Sequence, residues 1–587
     1  MNDRMEELVQ FSPLAGALVL ETVAGESNQK IEYENEVRVT AGKDRTMFLY
    51  APKSGCPDSK QCQVLMVLRD GSDEASAQET LTGLELDLLA EDQHFIVLFP
   101  NPAESGWNFT NDPTQDSDTD FLGRCFDALK SCKAGVNGFN GMIYYLAASP
   151  AASAMLMTMA ATKPVNVSAM MLSELPKGYI LSKDALHIEV AAWSGSKEVT
   201  DYLKHANGIS TSGTTTDGVT AYAGKNPNVR LFASDRAIDA ATVKLAWDRL
   251  FSASRRWQND TYGTYQPRTA FTERGFTAHV KDASLGVNNN FPHTWYEYIP
   301  PQLRGTSEKV PLVFYFHGVN CVPLYGAEQS NLHDVADREN FIVVYPAPAK
   351  SKCWNIWNES RIPSDFDFVL ALIDHMKAVH PIDETRIYAT GFSMGGMMTH
   401  AITGAYPEIF AAGAPCNAFN FGYLREPAGM LAPFMKMKPE DFENVNYAKL
   451  LADEKKAKYD YRMPIFQNAG YDDVTICLWP VDGSCDDART KTIHRWKEYN
   501  NIPTEPCLDP DQLSGLCADE SFYIDAEERF LHQRWYSKDA GNPSLYEMVL
   551  AKRMPHAVLP IQLAWAWDFL KQFSRAKDGS LIIERTR

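Results

Sequence analysis

The segment Arg386-Ile-Tyr-Ala-Thr-Gly-Phe-Ser-Met-Gly-Gly396 decides the fold of this 587-residue chain. Its first five residues predict a buried β-strand, and the small residues from Gly391 onward predict a sharp turn into a helix. Ser393 is at the tip of this G-x-S-x-G turn, in which strand and helix backbones come too close for side chains, so glycines are required. The pattern predicts a nucleophilic serine held over a helix N-terminus.

A serine of this kind needs a base, an acid that orients the base, and oxyanion donors. The chain order expected with such a turn is serine, then Asp or Glu, then His. The predicted strand Met463–Asn468 leads to Asp473, our predicted acid, with Asp472 as the alternative. His556 follows the predicted last strand, Leu545–Ala551, and is the predicted base.

The predicted oxyanion donors are the backbone N–H groups of Met394 and Val319. Val319 follows the predicted strand Val310–Phe316 and a His-Gly pair. His317, the histidine of that pair, precedes the serine in the chain. We therefore expect His317 to fix this loop and not to act as the base, and we count it among the candidate substrate-binding residues.

Two tryptophans follow the next predicted strand, Phe341–Tyr345, at the edge where this kind of sheet carries its site. Trp354 and Trp357 are candidate substrate-binding residues that would stack on a phenolic acyl group, a sugar or a polyester chain. The alternative is a packed pair under a loop.

Short apolar strands alternate with amphipathic helices, such as the one predicted over Asp367–Val379. This alternation predicts an α/β fold with a mostly parallel sheet and helices on both of its faces. The pattern occurs twice, because Phe95–Ser105 and Phe341–Ser351 share most of their residues and each precedes Trp-Asn. We expect two tandem copies of one domain, 1–260 and 261–587, with a lid insertion at 417–460 in the second.

The first copy is expected to be non-catalytic. Ser149 persists there, but alanines replace the glycines of the turn, and Pro150 lacks the N–H that an oxyanion donor needs. Asp70, Glu198 and Arg236 are at the positions aligned with the loop histidine, the acid and the base. This copy is interpreted as a scaffold, a contributor to the substrate edge or a carbohydrate-binding platform.

The formal net charge of −19 argues against a nucleic-acid partner, and the 45% apolar content excludes a disordered chain. The apolar run 141–162 is explained by a strand, a turn and a helix, so no membrane span is predicted. The first 25 residues are acidic where an export signal would be basic, so no signal peptide is visible.

Eight of the eleven cysteines form pairs that are close in sequence: Cys56/Cys62, Cys125/Cys132, Cys477/Cys485 and Cys507/Cys517. None has metal-ligand spacing, so no metal site is predicted. The spacing favours local disulfides and an extracytoplasmic protein over buried thiols. Cys321 and Cys353 each follow a core strand, and we expect a disulfide between them.

The second copy resembles a known family, the polyhydroxyalkanoate depolymerase-like and feruloyl or acetylxylan esterases of the α/β-hydrolase fold. The resemblance covers most of 295–575. It rests on His317-Gly318, Tyr345-Pro346, Cys353-Trp354-Asn355, the segment Asp383–Gly396 and Pro407–Ala411.

The resemblance implies hydrolysis of esters by a triad of Ser393, Asp473 and His556, without a cofactor, and in many members secretion. The family often has Cys after His-Gly, whereas this chain has Val319. The implied partner is an ester substrate, either a polyester, a plant cell-wall ester or a small ester, and the chain is expected to be a monomer or homodimer. The alternatives are a prolyl-oligopeptidase-like serine peptidase and a non-catalytic carbohydrate-binding protein.

Overall fold

A computed structural model of the chain describes residues 8–9, 14–25, 43–57, 61–110, 112, 115–181, 189–349, 352–356, 362–419, 461–475, 479–481, 488–504 and 508–584. The chain divides into two compact units, Met1–Thr269 and Ala270–Arg587. This division lies close to the expected boundary between 260 and 261. Among the described residues, no helix has both the length and the apolar character that a membrane span requires.

The first unit contains a ten-stranded sheet in the order β1-β2-β4-β3-β5-β6-β7-β10-β9-β8. Its strands are β1 Leu18–Val23, β2 Arg45–Tyr50, β3 Val64–Leu68, β4 Ile96–Pro100, β5 Ile143–Ala147, β6 Ala169–Leu172, β7 Ala192–Ser194, β8 Thr214–Thr216, β9 Val219–Ala223 and β10 Arg230–Ala233. A short hairpin follows, β11 Arg256–Trp257 and β12 Thr264–Tyr265. The α-helices of this unit are Glu74–Gly83, Leu86–Gln93, Asp118–Ala128, Pro150–Thr162, Lys197–Ala206 and Ala240–Ala246.

The second unit contains another ten-stranded sheet, in the order β13-β14-β16-β15-β17-β18-β19-β22-β21-β20. Its strands are β13 Phe276–Asp282, β14 His293–Tyr298, β15 Val310–Phe316, β16 Ile342–Pro346, β17 Ile382–Phe392, β18 Ala412–Cys416, β19 Ile465–Gly470, β20 Glu520–Tyr523, β21 Phe530–Tyr536 and β22 Ser544–Ala551. A hairpin of β23 Phe573–Arg575 and β24 Leu581–Ile583 follows. The α-helices are Phe271–Arg274, Pro323–Ser330, Leu332–Glu339, Asp365–Val379, Met394–Ala405, Ala488–Tyr499 and Pro560–Leu570.

The six strands at the centre of the second sheet, from β16 to β22, are parallel, and the outer strands are antiparallel. Every residue of β15 is buried, which is why its sequence is an almost continuous apolar run and does not alternate. The predicted α/β fold with a mostly parallel sheet is therefore confirmed. The helix predicted from Asp367 begins at Asp365, where the Ser364 side chain caps it.

The two sheets agree strand for strand: each position in the first order corresponds to one in the second, with the same parallel or antiparallel pairing. Independent folds rarely share an order of ten strands, and a duplication predicts such agreement. Duplication remains our interpretation of the repeat.

The expected disulfide between Cys321 and Cys353 is wrong. Both side chains are buried thiols, and the Cys353 thiol lies 3.2 Å from the sulfur of Met394. The expected local disulfides in the first unit are also wrong, because Cys56, Cys62, Cys125 and Cys132 are thiols as well. A bridge requires close Cβ atoms with suitable directions, which spacing along the chain does not reveal.

One of the four expected pairs contains an oxidised residue, Cys517, which is in a disulfide. Its sequence neighbour Cys507 lies outside the described residues, as do Cys477 and Cys485.

Candidate active site

Ser393 occupies a strained turn between β17 and the helix Met394–Ala405. Its backbone has φ 55° and ψ −121°, in the region that side-chain-bearing residues rarely adopt. The Ser393 N–H donates to the Cys416 carbonyl at 2.9 Å, which fixes the turn to the end of β18. The structure thus holds the serine in the strained conformation that the sequence pattern predicts.

The glycines of the turn are explained by close backbone contacts. A Cβ on Gly395 would lie 1.9 Å from the carbonyl oxygen of Phe316, and one on Gly391 would lie 2.5 Å from the same oxygen. A Cβ on Gly396 would meet Ala418 at 2.6 Å. Any side chain at Gly395 would push the helix away from β15, so the turn needs glycine there.

Ser393, His556 and Asp473 form one hydrogen-bonded chain. Nε2 of His556 lies 2.8 Å from Oγ of Ser393, and Nδ1 lies 2.6 Å from Oδ2 of Asp473. A carboxylate only accepts hydrogen bonds, so we assign the ring proton to Nδ1, which leaves Nε2 to accept the serine hydroxyl proton. The arrangement has the geometry of a nucleophile, a base and an orienting acid.

The geometry distinguishes Asp473 from Asp472. The Asp473 side chain is fully buried, and its second oxygen accepts the Thr475 N–H at 2.9 Å. Asp472 is exposed, and its backbone N–H donates to the Met554 carbonyl at 3.1 Å. Of the two aspartates, it is Asp473 whose carboxylate hydrogen-bonds to the His556 ring, so Asp473 is the candidate acid.

These side chains meet because three parallel strands end at the same edge of the sheet. Ser393 follows β17, Asp473 follows β19, and His556 follows β22. A Cβ on Gly470 would lie 2.3 Å from the Met554 carbonyl oxygen, so the segment before His556 packs directly on the end of β19. The carboxyl edge of a parallel sheet is where α/β proteins carry their sites.

Asn417 is a positioning residue that the sequence analysis missed. It is fully buried, with φ 43°, at the end of β18. Its side-chain oxygen accepts the Gly470 N–H at 2.6 Å, and its amide nitrogen donates to the Ala557 carbonyl at 2.6 Å. One side chain thus joins the segment that bears the acid to the segment that bears the base. The only signal in the sequence is an Asn directly after a strand.

The predicted oxyanion donors lie beside the serine. Met394 is the first residue of its helix, and an N–H at that position has no partner within the helix. Gly318 lies close to the serine, since a Cβ on it would be 3.4 Å from Cβ of Ser393. Val319, the next residue, is half-buried. The donor roles of Met394 and Val319 remain predictions.

Two predicted substrate-binding residues are misassigned. Trp354 is 0% exposed, and its indole N–H donates to the His317 carbonyl at 2.8 Å. His317 is 1% exposed, with Nδ1 2.8 Å from the Gly318 carbonyl oxygen. Neither ring can stack on a ligand, because both pack under the loop that leads to Val319. Trp357 lies outside the described residues, as do residues 420–460 of the expected lid.

Asp365 holds the segment that contains Trp354. Its carboxylate accepts the N–H groups of Ala349 at 2.8 Å and Asn355 at 2.7 Å. Burial raises the pKa of Asp365 to about 7, although these two hydrogen bonds favour the ionised form. The corresponding Asp118 of the first unit forms an ion pair with Arg45.

Among the described residues of the first unit, no histidine hydrogen-bonds to the serine at the aligned turn. Ser149 has extended backbone geometry and caps the helix Pro150–Thr162, accepting the Ala152 N–H at 3.1 Å. Its hydroxyl donates to Asp70 at 2.6 Å. Arg236 donates to the Asp217 carbonyl. Ser149 therefore has the contacts of a helix cap, and the non-catalytic character of this unit remains a prediction.

We expect Asn417→Ala to slow the reaction of Ser393 with a fluorophosphonate probe at least tenfold and to lower stability. The substitution leaves two buried backbone groups without partners, at a cost of about 1–3 kcal/mol each. Gel-based labelling rates and chemical denaturation measure the two effects. Asn340→Ala is the matched control, because Asn340 also has positive φ but is exposed. An Asn417→Ala protein that loses stability yet labels at the wild-type rate would contradict the positioning role.

Asp365 should make stability depend on pH. The folded-state pKa of about 7 lies above the ordinary 3.8, so the native state holds an extra proton between these values. The free energy of unfolding should therefore fall as pH rises from about 4 to 7, by up to about 4 kcal/mol from this group. Denaturation of Asp365→Asn across this range should lack that fall. Asp367→Asn, in the same helical turn but exposed, should keep it. Equal pH profiles for wild type and Asp365→Asn would refute the assignment.

Part of the second unit is similar to known esterases. Residues 294–429 match the family model described as Esterase PHB depolymerase, a match that includes Ser393 and Val319 but not Asp473 or His556. Feruloyl esterase B of Thermothelomyces thermophilus is 34% identical over 132 residues, 22% of this chain and 44% of that protein. Poly(3-hydroxyalkanoate) depolymerase C of Paucimonas lemoignei is 33% identical over 153 residues, 24% of this chain and 35% of that protein.

The bifunctional acetylxylan esterase/xylanase XynS20E of Neocallimastix patriciarum is 30% identical over 202 residues, 32% of this chain and 28% of that protein. Among solved structures, the acetyl xylan esterase from Aspergillus awamori matches 51% of this chain and 99% of its own, with 15% identity and a TM-score of 0.36. The chain spans less than half the length of these curated relatives. Over residues 294–429, the second unit is thus similar to the Esterase PHB depolymerase family.

Proposed function

We propose that the second unit is a serine hydrolase of carboxylic esters that works through an acyl-enzyme on Ser393. The observation that carries this proposal is the hydrogen-bonded chain from Asp473 through His556 to Ser393, at 2.6 and 2.8 Å. The location of Ser393 at a strained glycine turn, within the segment that matches an esterase family model, supports the same conclusion.

The first half of the reaction forms the acyl-enzyme. Oγ of Ser393 attacks the ester carbonyl carbon while its proton passes to Nε2 of His556. Asp473 stabilises the imidazolium that results, and the N–H groups of Met394 and Val319 bind the oxyanion. The intermediate then expels the alcohol, whose oxygen takes the proton from His556, and the acyl group stays on the serine.

The second half releases the acid. Water attacks the acyl carbon, and His556 again takes a proton and returns it to Oγ of Ser393. The products are one alcohol and one carboxylic acid for each ester and water consumed. No cofactor enters either half, because every proton is carried by the histidine.

The proposed substrate class is an ester with a phenolic, acetyl or hydroxyalkanoate acyl group. The names of the relatives support it, since they include feruloyl esterases, an acetylxylan esterase and a poly(3-hydroxyalkanoate) depolymerase. The first unit is proposed as a non-catalytic partner, because Ser149 bonds to Asp70 and to no histidine within the described residues. An extracytoplasmic location is part of this proposal and is supported by the disulfide at Cys517.

We expect Ser393→Ala to lose ester hydrolysis by about 10⁴ to 10⁶ in rate without loss of the fold. Turnover of p-nitrophenyl acetate measures the rate, and circular dichroism checks the fold. Ser149→Ala is the matched control, since it removes a serine at the aligned turn, and it should keep wild-type activity. More than a few per cent of activity in pure Ser393→Ala would reject the assignment.

A substrate panel tests the class of bond. Methyl ferulate, acetylated xylan, a polyhydroxyalkanoate film and a prolyl-peptide amide should be compared at equal enzyme concentration. Turnover of at least one ester, with none of the amide, is expected. Cleavage of the prolyl amide at a higher kcat/KM than every ester would instead identify a peptidase.

A further inference from the structure

A cluster of histidines surrounds a buried glutamate at the outer edge of the second sheet. His279 is on β13, Glu297 is on β14, and His375 is near the end of the helix Asp365–Val379. His380 follows that helix directly. Two consecutive strands and a helix that is distant from them in sequence thus bring ligand-type side chains to one point.

The distances within this cluster suit a tetrahedral metal ion. Oε1 of Glu297 lies 3.1 Å from Nε2 of His279 and 3.4 Å from Nε2 of His375. The three ligand atoms all lie within 4.8 Å of one another. Ligands about 2.0–2.1 Å from a zinc ion are separated by roughly 3.3 Å in a tetrahedron. Two of the three distances between ligand atoms therefore already match those in a tetrahedral zinc site.

The hydrogen bonds around the cluster leave the ligand atoms directed inward. Nε2 of His279 is buried and makes no hydrogen bond, even though Glu297 is near it. Nδ1 of the same ring lies 3.4 Å from a carboxylate oxygen of Asp282. Metal-binding histidines commonly have this arrangement, in which a carboxylate orients the ring from behind. His279 also stacks on Trp295 with ring centroids 4.2 Å apart, which fixes the plane of the imidazole.

Glu297 is a buried carboxylate whose direction is fixed by its neighbours. Its side chain is only 5% exposed, and Nε2 of His380 lies 3.4 Å from Oε2. The Trp295 indole N–H donates to Oε1 at 2.9 Å, which also fixes the direction of the carboxylate.

We propose that His279, Glu297 and His375 bind one divalent transition-metal ion of the zinc type. Imidazole and carboxylate ligands suit zinc and its neighbours in the first transition row. Water or His380, whose Nε2 lies 3.4 Å from Oε2 of Glu297, completes the coordination. The rings of His279 and His375 are 22% and 25% exposed, which gives the ion a path from solvent.

The ion would stabilise the fold and would not contact the reacting atoms. Strands β16 and β15 lie between β14 and β17, so the cluster is about 14 Å across the sheet from the strand that precedes Ser393. It would join the β13–β14 pair to the helix that Asp365 begins. The first unit lacks the set, because Glu21, Leu49 and Ala128 are at the corresponding places in its strands and helix.

Metal titration of the full chain tests the proposal. After removal of metals with a chelator, wild type should bind one Co²⁺ per chain with intense visible d–d bands, and Zn²⁺ should displace it and raise Tm. The double variant His279→Asn/His375→Asn should lose the bands and the Tm shift. His205→Asn, at an exposed histidine of the first unit, should behave as wild type.

The variant Asp282→Asn keeps all three proposed metal ligands. It therefore tests the proposal even if the double variant does not fold. It should weaken Zn²⁺ binding about 10- to 100-fold, as loss of a residue that orients a ligand typically does. Wild type without tetrahedral Co²⁺ bands, or a folded double variant that keeps them, would overturn the proposal. Equal Zn²⁺ affinity of Asp282→Asn and wild type would also count against it. These measurements do not depend on ester hydrolysis, so the metal-site proposal can fail or hold independently of the proposed function.

Discussion

The close approach of the helix Met394–Ala405 to β15 is the constraint on which the site depends. At Gly395 there is no room for a single carbon, because a Cβ would come within 1.9 Å of the Phe316 carbonyl oxygen. This contact forces the turn to be tight, and the tight turn places Ser393 at positive φ. The unbonded N–H groups of the helix N-terminus then lie next to the serine, where negative charge would develop.

The first unit shows what the same strand order produces without this constraint. Its turn contains alanines, and Ser149 has extended backbone geometry and caps the following helix. The sheet order is unaffected, since it depends on buried apolar strands and not on the turn. Fold and chemistry thus have separate requirements: the strands fix the sheet, and a few glycines decide whether the serine is strained.

The sequence was sufficient to predict the central strands and the position of Ser393. It was also sufficient to predict His556, which hydrogen-bonds to the serine, and Asp473, which hydrogen-bonds to the histidine. These features follow from local sequence patterns and from the order of residues along the chain, because in this fold that order determines which strand carries each side chain. The burial of Trp354, the thiol state of Cys321 and the role of Asn417 were not predictable. Each depends on how one loop packs on another, and neither propensity nor spacing contains that information.

The histidine cluster was hidden for a related reason. Its members come from two outer strands and a distant helix, so they form no motif in the chain. Closely spaced cysteines indicate a different class of metal site, and this cluster contains no cysteine.

The bonds of Asn417 have a consequence for the order of folding. Its amide is satisfied only when the ends of β18 and β19 and the segment after β22 are all in place. Until β22 docks, one buried polar side chain lacks its acceptor, and this region is incompletely stabilised. Because β22 is separated from β18 by more than a hundred residues of chain, this contact is non-local, and we expect it to form after the local strand–helix units. A chain that ends before β22 lacks both the Ala557 carbonyl that this amide contacts and the candidate base His556.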